Sequence, residues 1–158
     1  MRELILLRHA HAELPMPGQA DFDRPLSSMG LAEAEAAGRW LRGRGFHPDR
    51  VLCSPARRTR ETLDLVLPEP TGTDCRLEPA IYEATPGILL ALVDVHRDVD
   101  RLLVVGHNPG LEQLVALLHS GRSGEYRGMP PAGIAVLALR DGVPVEPGAA
   151  VLEAFWWP

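Results

Sequence analysis

The stretch ELILLRHAH, residues 3–11, decides the fold, because an apolar strand runs directly into charged and imidazole side chains. Its centre, residues 4–7, is apolar without alternation, which is typical of a strand covered by helices on both faces of a mostly parallel sheet. A strand that ends in solvent is more often followed by Gly, Asn or Asp than by Arg8, His9 and His11. This strand end therefore indicates a functional site.

The rest of the chain alternates between predicted strands and predicted helices. The sequence patterns predict strands at 51–53, 101–106, 133–139 and 151–156, and helices at 31–45, 56–67, 87–96 and 110–119. This alternation predicts an α/β fold, a three-layer α/β/α sandwich with a mostly parallel central sheet whose final strands run antiparallel. A chain of 158 residues is the size of one compact domain, so we expect a single domain over residues 1–158.

Each predicted helix is preceded by a start signal. Ser27 and Ser28 offer hydroxyls ahead of the first helix, and a proline follows a capping side chain at Ser54-Pro55, Thr85-Pro86 and Asn108-Pro109. Short polar side chains at such positions accept hydrogen bonds from the unpaired N–H groups of the first helical turn. We therefore expect these side chains to cap the four helices.

Three of the predicted strands end in polar clusters, at residues 8–9, 54–58 and 106–108. Because the carboxyl ends of parallel strands meet at one edge of an open α/β sheet, we expect the three clusters to converge. Two of them lie at helix N-termini, where unpaired N–H groups and the helix dipole favour an anion. Arginine side chains at the same edge would add bidentate hydrogen bonds to phosphate oxygens. The sequence therefore predicts a phosphate site that contains imidazoles.

Composition and charge exclude several other classes of protein. The net charge of −5 at pH 7 argues against a nucleic-acid partner. Cys53 and Cys75 are too few for a disulfide framework and are expected to be small core residues in a reducing compartment. No apolar run is long enough for the core of a signal peptide or for a membrane span. We expect a cytoplasmic monomer without a membrane partner.

The motifs at the three strand ends resemble those of the histidine phosphatase superfamily. They are LRHA at residues 7–10, SPARRTRET at 54–62 and VGHNPGL at 105–111, and further similarity lies in DRPLSSMGLAEAEAAGRWL at 23–41 and PPAGIAVLAL at 130–139. The likeness is greatest to the small phosphohistidine phosphatases of the SixA type, although the superfamily's commonest first motif has Gly where Ala10 stands here. It implies a phosphoglycerate-mutase-like fold, and a phosphatase that needs no metal and no cofactor.

The resemblance also implies roles for individual residues. His9 would be the nucleophile that takes the phosphoryl group, and His107 would donate a hydrogen bond to the phosphoryl oxygens. Arg8 and Arg58 would hold those oxygens, with a register that places Arg57 in Arg58's role as the alternative. Glu83 lies where larger members carry a carboxylate that acts as general acid and base.

Two positions outside the catalytic group are also predicted to contact the substrate. Arg24 matches a position that is often arginine in the small branch, and Asn108 follows His107 directly. We expect the substrate to be a phosphohistidine-bearing protein or a small phosphorylated molecule. Only residues 68–79 are available to form a lid, so an open site that admits a protein side chain is favoured.

Three alternative functions can be compared with the sequence. A broad small-molecule phosphomonoesterase of the same superfamily would depend on Glu83, because an alkoxide must be protonated as it leaves. A metal-dependent hydrolase could be built from His9, His11 and His107 together with Glu13 or Asp21. The cationic heads of the arginines argue against that metal site. A module that binds phosphohistidine without turnover would require the loss of a catalytic residue, and none is lost.

Overall fold

The computed structural model describes residues 1–158 and places the apolar first strand, β1 (Glu3–Arg8), inside a six-stranded sheet. The four side chains at 4–7 are at most 1% exposed, so both faces of the strand are covered. Burial of each such side chain contributes roughly 1.5–3 kcal/mol to folding. The apolar run therefore forms a central strand, as the sequence predicts.

The sheet is mostly parallel. Its other strands are β2 (Arg50–Cys53), β3 (Asp74–Leu77), β4 (Arg101–Gly106), β5 (Ile134–Leu139) and β6 (Ala150–Trp156), in the order β3-β2-β4-β1-β5-β6. The pairings β3-β2, β2-β4 and β4-β1 are parallel, and β5 pairs antiparallel with both β1 and β6. Both the parallel centre and the antiparallel final strands are confirmed.

Four helices cover the two faces of the sheet. They are α1 (Ser28–Gly43), α2 (Arg57–Val66), α3 (Pro86–Val95) and α4 (Gly110–Ser120). α1 and α2 pack on one face over one apolar cluster, and α3 and α4 pack on the other face over a second cluster. This is the predicted three-layer α/β/α sandwich.

The start signals behave differently from one helix to the next. Ser27 caps α1 by accepting a hydrogen bond from Gly30 N at 3.0 Å, and Thr85 caps α3 in the same way. The predicted capping role of Ser54 is wrong, because α2 begins at Arg57 after Ala56 and has no side-chain cap. The residue before α4 is Pro109, which has no capping side chain. Asn108 Oδ1, one residue earlier, accepts a hydrogen bond from Glu112 N in the first turn of α4 instead.

Residues 68–79, the segment that the sequence leaves available for a lid, contain a strand that was not predicted. Part of this segment is β3, a short strand on the outer edge of the sheet whose four residues are all exposed. Its sequence, DCRL, has only two apolar residues on one face, which is too short an alternation to predict a strand. Cys75 lies on this strand and is exposed, so the expectation of a core residue holds for Cys53 alone.

None of the four helices combines the length and the apolar character needed to cross a membrane.

Candidate active site

The register of the parallel strands brings the three polar clusters to one edge of the sheet. Arg8 of β1 lies beside Gly106 of β4, and Cys53 of β2 lies beside Val105 of β4. The residues that follow these strands are therefore neighbours in space. The rings of His9 and His107 have their centroids 5.3 Å apart.

His9 is held in one tautomer by the backbone. Its Nδ1 lies 2.7 Å from the carbonyl oxygen of Ala10. Because a carbonyl can only accept a hydrogen bond, Nδ1 carries the proton and the lone pair remains on Nε2. Burial, assisted by the charges of Arg58 and Arg8, lowers the pKa of His9 to about 3, although the hydrogen bond to Ala10 opposes the shift. The ring is therefore neutral at pH 7 and has a free nucleophilic nitrogen.

The main chain beside His9 is anchored by a buried threonine. Thr62 Oγ1 accepts a hydrogen bond from Ala10 N at 3.0 Å and donates one to the carbonyl of Arg58 at 2.7 Å. This hydroxyl is fully buried. It joins the segment that carries His9 to the helix that carries Arg58.

Arg8 is half-buried at the end of β1. Its Nη1 donates to the carbonyl of Met129 at 2.7 Å, whereas its buried Nε has no hydrogen-bond partner. Burial lowers the pKa of this guanidinium, and the charges of Glu112 and Glu33 oppose that effect. The side chain is thus fixed at one end and has an unpaired donor at the other.

Arg58 is the arginine of α2 that faces the site. Only 6% of it is exposed, and Nη1 and Nη2 donate to the main-chain carbonyl and the carboxylate of Asp21 at 2.8 and 3.0 Å. Its Nε is buried without a partner. Arg57 is exposed instead and pairs with Glu61 one turn along the helix. The placement of Arg58 agrees with the predicted register.

His107 contacts the Ser54 hydroxyl with one ring nitrogen and lines the pocket described below. Its Nε2 lies 2.7 Å from Ser54 Oγ, and its buried Nδ1 has no partner. Burial, assisted by the charges of Arg58 and Arg8, lowers the pKa of His107 to about 4. Like His9, this ring is therefore neutral at pH 7.

Three buried nitrogens around His9 lack a hydrogen-bond partner. The buried side-chain nitrogens that lack a partner in this structure are Arg8 Nε, Arg58 Nε and His107 Nδ1. Buried polar groups are almost always hydrogen-bonded, so three unpaired nitrogens around His9 indicate a binding site for a ligand that accepts hydrogen bonds. Two guanidinium donors beside an imidazole form a site suited to a tetrahedral anion such as a phosphoryl group.

A pocket of ≈ 410 Å³ opens beside His107 and Arg58. Asp21, Tyr82 and Glu83 are among the residues that line it. Glu83 is exposed and has φ +58°, a left-handed backbone conformation that is uncommon for a residue other than glycine. Its carboxylate is therefore presented at the pocket rather than packed into the protein.

The two predicted substrate-binding residues are both engaged within the protein. Arg24 donates from Nε to the carbonyl of Glu13 and from Nη1 to the carboxylate of Asp21, and it does not line the pocket. Asn108 lines the pocket, but its amide nitrogen donates to Met129 O and to Glu112. The structure thus places Arg24 against Asp21. It places Asn108 against the main-chain carbonyl of Met129, which also accepts a hydrogen bond from Arg8.

The histidines do not gather into a metal site. His11 turns away from the pocket, and its Nδ1 lies 2.7 Å from Ser27 Oγ at the start of α1. The structure contains no group of three or more His, Cys, Asp or Glu residues placed to hold a metal ion. The alternative ligand set of His9, His11 and His107 is therefore not brought together.

Two residues of the site receive no role in phosphate binding from the sequence. They are Asp21, which enters the sequence analysis only as a possible metal ligand, and Tyr82. Ser54 belongs to the predicted strand-end cluster at 54–58, but its expected role is that of a helix cap. The Tyr82 hydroxyl donates to Asp21 Oδ2 at 2.7 Å, and this bond together with those from Arg24 and Arg58 lowers the pKa of Asp21 well below its usual range. Ser54 follows β2 directly, which is the strand-end signal, whereas Asp21 and Tyr82 carry no comparable signal.

Comparison with known proteins identifies the relatives of this chain. Residues 4–94 match the family model of the histidine phosphatase superfamily, branch 1. The chain is similar to phosphohistidine phosphatase SixA of Escherichia coli, with 30% identity over 131 residues that cover 77% of this chain and 76% of the relative.

Solved structures show the same relationship. A structure from Agrobacterium tumefaciens, assigned as a phosphohistidine phosphatase SixA, superposes with a TM-score of 0.85 and 31% identity over 99% of this chain and 98% of the other. The protein histidine phosphatase SixA complexed with tungstate superposes with a TM-score of 0.80 and 25% identity, covering 98% and 96% of the two chains.

Proposed function

The chain belongs to the histidine phosphatase superfamily and is a phosphatase, and we propose that it hydrolyses phosphohistidine on a protein or peptide through a covalent phospho-His9 intermediate. One observation carries the proposal. The neutral His9 ring, with its proton held on Nδ1 by Ala10, lies among three unpaired nitrogens of Arg8, Arg58 and His107. A nucleophilic nitrogen beside donors that suit an anion is what transfer of a phosphoryl group to histidine requires.

The reaction has two displacement steps. In the first, His9 Nε2 forms a bond to phosphorus while the bond from phosphorus to the substrate nitrogen breaks, and the leaving imidazole keeps the electron pair. In the second, water attacks phosphorus, the bond to His9 breaks, and inorganic phosphate is released. The proton lost by the water balances the one gained by the leaving imidazole.

Arg8, Arg58 and His107 supply electrostatic stabilisation in both steps. Their contacts to Met129, Asp21 and Ser54 fix them before substrate arrives. Groups that are already oriented toward the transferring phosphoryl group need no reorganisation during the reaction. We propose on this basis that no metal ion takes part.

The substrate preference rests on the leaving group and on the open pocket. Imidazole is a much better leaving group than an alkoxide, so phosphohistidine makes little demand on a general acid. The segment at 68–79 contributes β3 to the sheet edge, and none of its residues lines the pocket. A pocket that this segment does not cover suits a phosphorylated side chain presented by a protein or peptide.

Glu83 favours a second candidate, a broad small-molecule phosphomonoesterase. Its exposed carboxylate lines the same pocket, where it would protonate a leaving alkoxide. In that case Glu83 would be indispensable for activity. The two candidates share the covalent mechanism and differ in the bond that is cleaved.

Wild type and Glu83→Gln, assayed on a phosphohistidine peptide and on an alkyl phosphate such as a sugar phosphate, separate the candidates. We expect wild type to prefer the peptide, and Glu83→Gln to lose roughly a hundredfold or more on the alkyl phosphate but little on the peptide. Glu69→Gln, which removes an exposed carboxylate outside the pocket, is the matched control. A wild-type preference for the alkyl phosphate, abolished by Glu83→Gln, would establish the second candidate.

A further inference from the structure

We propose that Ser54 is a positioning residue that keeps the proton of His107 on Nδ1 by donating its own hydroxyl proton to Nε2. The inference rests on the proposed function, in which His107 donates a hydrogen bond to the phosphoryl oxygens. Ser54 does not touch the phosphoryl group itself and acts through the imidazole ring.

The direction of the hydrogen bond follows from the burial of Ser54. The residue is 0% exposed, so its hydroxyl proton cannot be given to bulk water and needs an acceptor inside the protein. The main-chain N–H of Ala56 already points at Oγ, at 3.4 Å, which uses the oxygen as an acceptor. His107 Nε2, at 2.7 Å, is the atom placed to receive the hydroxyl proton.

A neutral imidazole carries one proton, so an acceptor at Nε2 requires a donor at Nδ1. Nδ1 of His107 is the buried nitrogen without a partner, and it shares that state with the Nε atoms of Arg8 and Arg58. A proton on Nδ1 makes all three nitrogens donors. The other tautomer would turn a lone pair toward a phosphoryl oxygen and repel it.

Neighbouring strands hold the serine and the histidine in place. The N–H of Ser54 donates to the carbonyl of Val105 at 3.0 Å, which extends the pairing of β2 with β4 by one residue. Thr59 Oγ1 donates to the carbonyl of Ser54 at 2.8 Å from the first turn of α2. The serine backbone is thus fixed on two sides, and its hydroxyl meets the first residue after β4.

Nitrogen NMR of the His107 ring tests the tautomer directly. We expect wild type to show a protonated Nδ1 and an unprotonated Nε2, and Ser54→Ala to show the proton shared with or moved to Nε2. We expect kcat/KM on a phosphohistidine peptide to fall roughly five- to tenfold in Ser54→Ala, the loss typical of one buried hydrogen bond. Ser120→Ala, which removes a hydroxyl at the far end of α4, should change neither measurement.

Ser54→Thr keeps the hydroxyl and should restore both the Nδ1 proton and most of the activity. If its extra methyl group prevents folding, the spectrum of Ser54→Ala still decides the question. A wild-type ring protonated on Nε2, or a Ser54→Ala protein with an unchanged spectrum and unchanged kcat/KM, would overturn the proposal. If wild type fails to hydrolyse the peptide while the proton moves as expected in Ser54→Ala, the proposed substrate is wrong and the positioning role stands.

Discussion

Asp21 holds the two outer nitrogens of Arg58 and leaves the Nε edge of the guanidinium for the site. The main-chain carbonyl of Asp21 accepts from Nη1 at 2.8 Å, and its carboxylate accepts from Nη2 at 3.0 Å. Tyr82 and Arg24 donate to the same carboxylate. Arg58 is therefore oriented by a loop that precedes it in the sequence by 37 residues.

Arg58→Lys should lower kcat/KM roughly a hundredfold, because a single ammonium nitrogen lacks the planar fork that holds Asp21 with two nitrogens and turns a third toward the phosphoryl oxygens. Steady-state kinetics on a phosphohistidine peptide measure the loss, and thermal unfolding shows whether the fold persists. Arg57→Lys is the matched control, since Arg57 is exposed and contacts Glu61. A larger loss from Arg57→Lys would mean that the arginine of the site has been misidentified.

Brief mixing with a labelled phosphoramidate should leave a phosphoryl group on His9 that is labile to acid and stable to alkali. A nitrogen–phosphorus bond has this stability pattern, whereas a serine phosphate does not. Quenched reactions followed by gel autoradiography measure the label. His9→Ala should carry none, because the attacking nitrogen is gone.

His47→Ala is the control for that experiment, since His47 is exposed outside the predicted motifs. It should be labelled like wild type. EDTA should leave turnover unchanged in all active proteins. Label on His9→Ala, or loss of turnover with EDTA, would contradict the mechanism.

The free energy of unfolding should fall as the pH is lowered from 6.5 toward 4. Burial lowers the pKa of His9 to about 3 and that of His107 to about 4, from an ordinary value of 6.5. Between these limits the unfolded chain binds more protons than the folded protein, so stability rises with pH and the gain ends above 6.5. Urea denaturation at a series of pH values measures the slope.

His9→Asn isolates the contribution of one ring. Relative to wild type, this variant should gain at most about 1.4 kcal/mol of stability for each pH unit below 6.5, because asparagine does not titrate. His47→Ala provides the comparison for an exposed histidine. Parallel stability curves for wild type and His9→Asn would show that the folded protein does not depress the pKa of His9.

Most of the fold could be predicted from local patterns. The strands at 3–8 and 101–106 and the helix that starts after Thr85 appear where the apolar runs and the start signal place them. β3 could not be predicted, because its alternation is limited to two apolar residues, Cys75 and Leu77, and all four residues of this edge strand are exposed. Its pairing with β2 rests on the backbone ladder and on the ion pair from Arg50 Nε to Asp74 Oδ2 at 2.9 Å, and both join residues far apart in the chain.

The sequence by itself determined the order of the four helices and of every strand except β3. It also grouped Arg8, His9, Arg58 and His107, because strand ends in a parallel sheet share one edge. Only the tertiary structure decided what each side chain contacts. It directs Ser54 to His107 instead of a helix N-terminus, Arg24 to Asp21, and Asn108 to Met129. These contacts join residues far apart in the chain, and they depend on strand register and side-chain packing, which local periodicity does not encode.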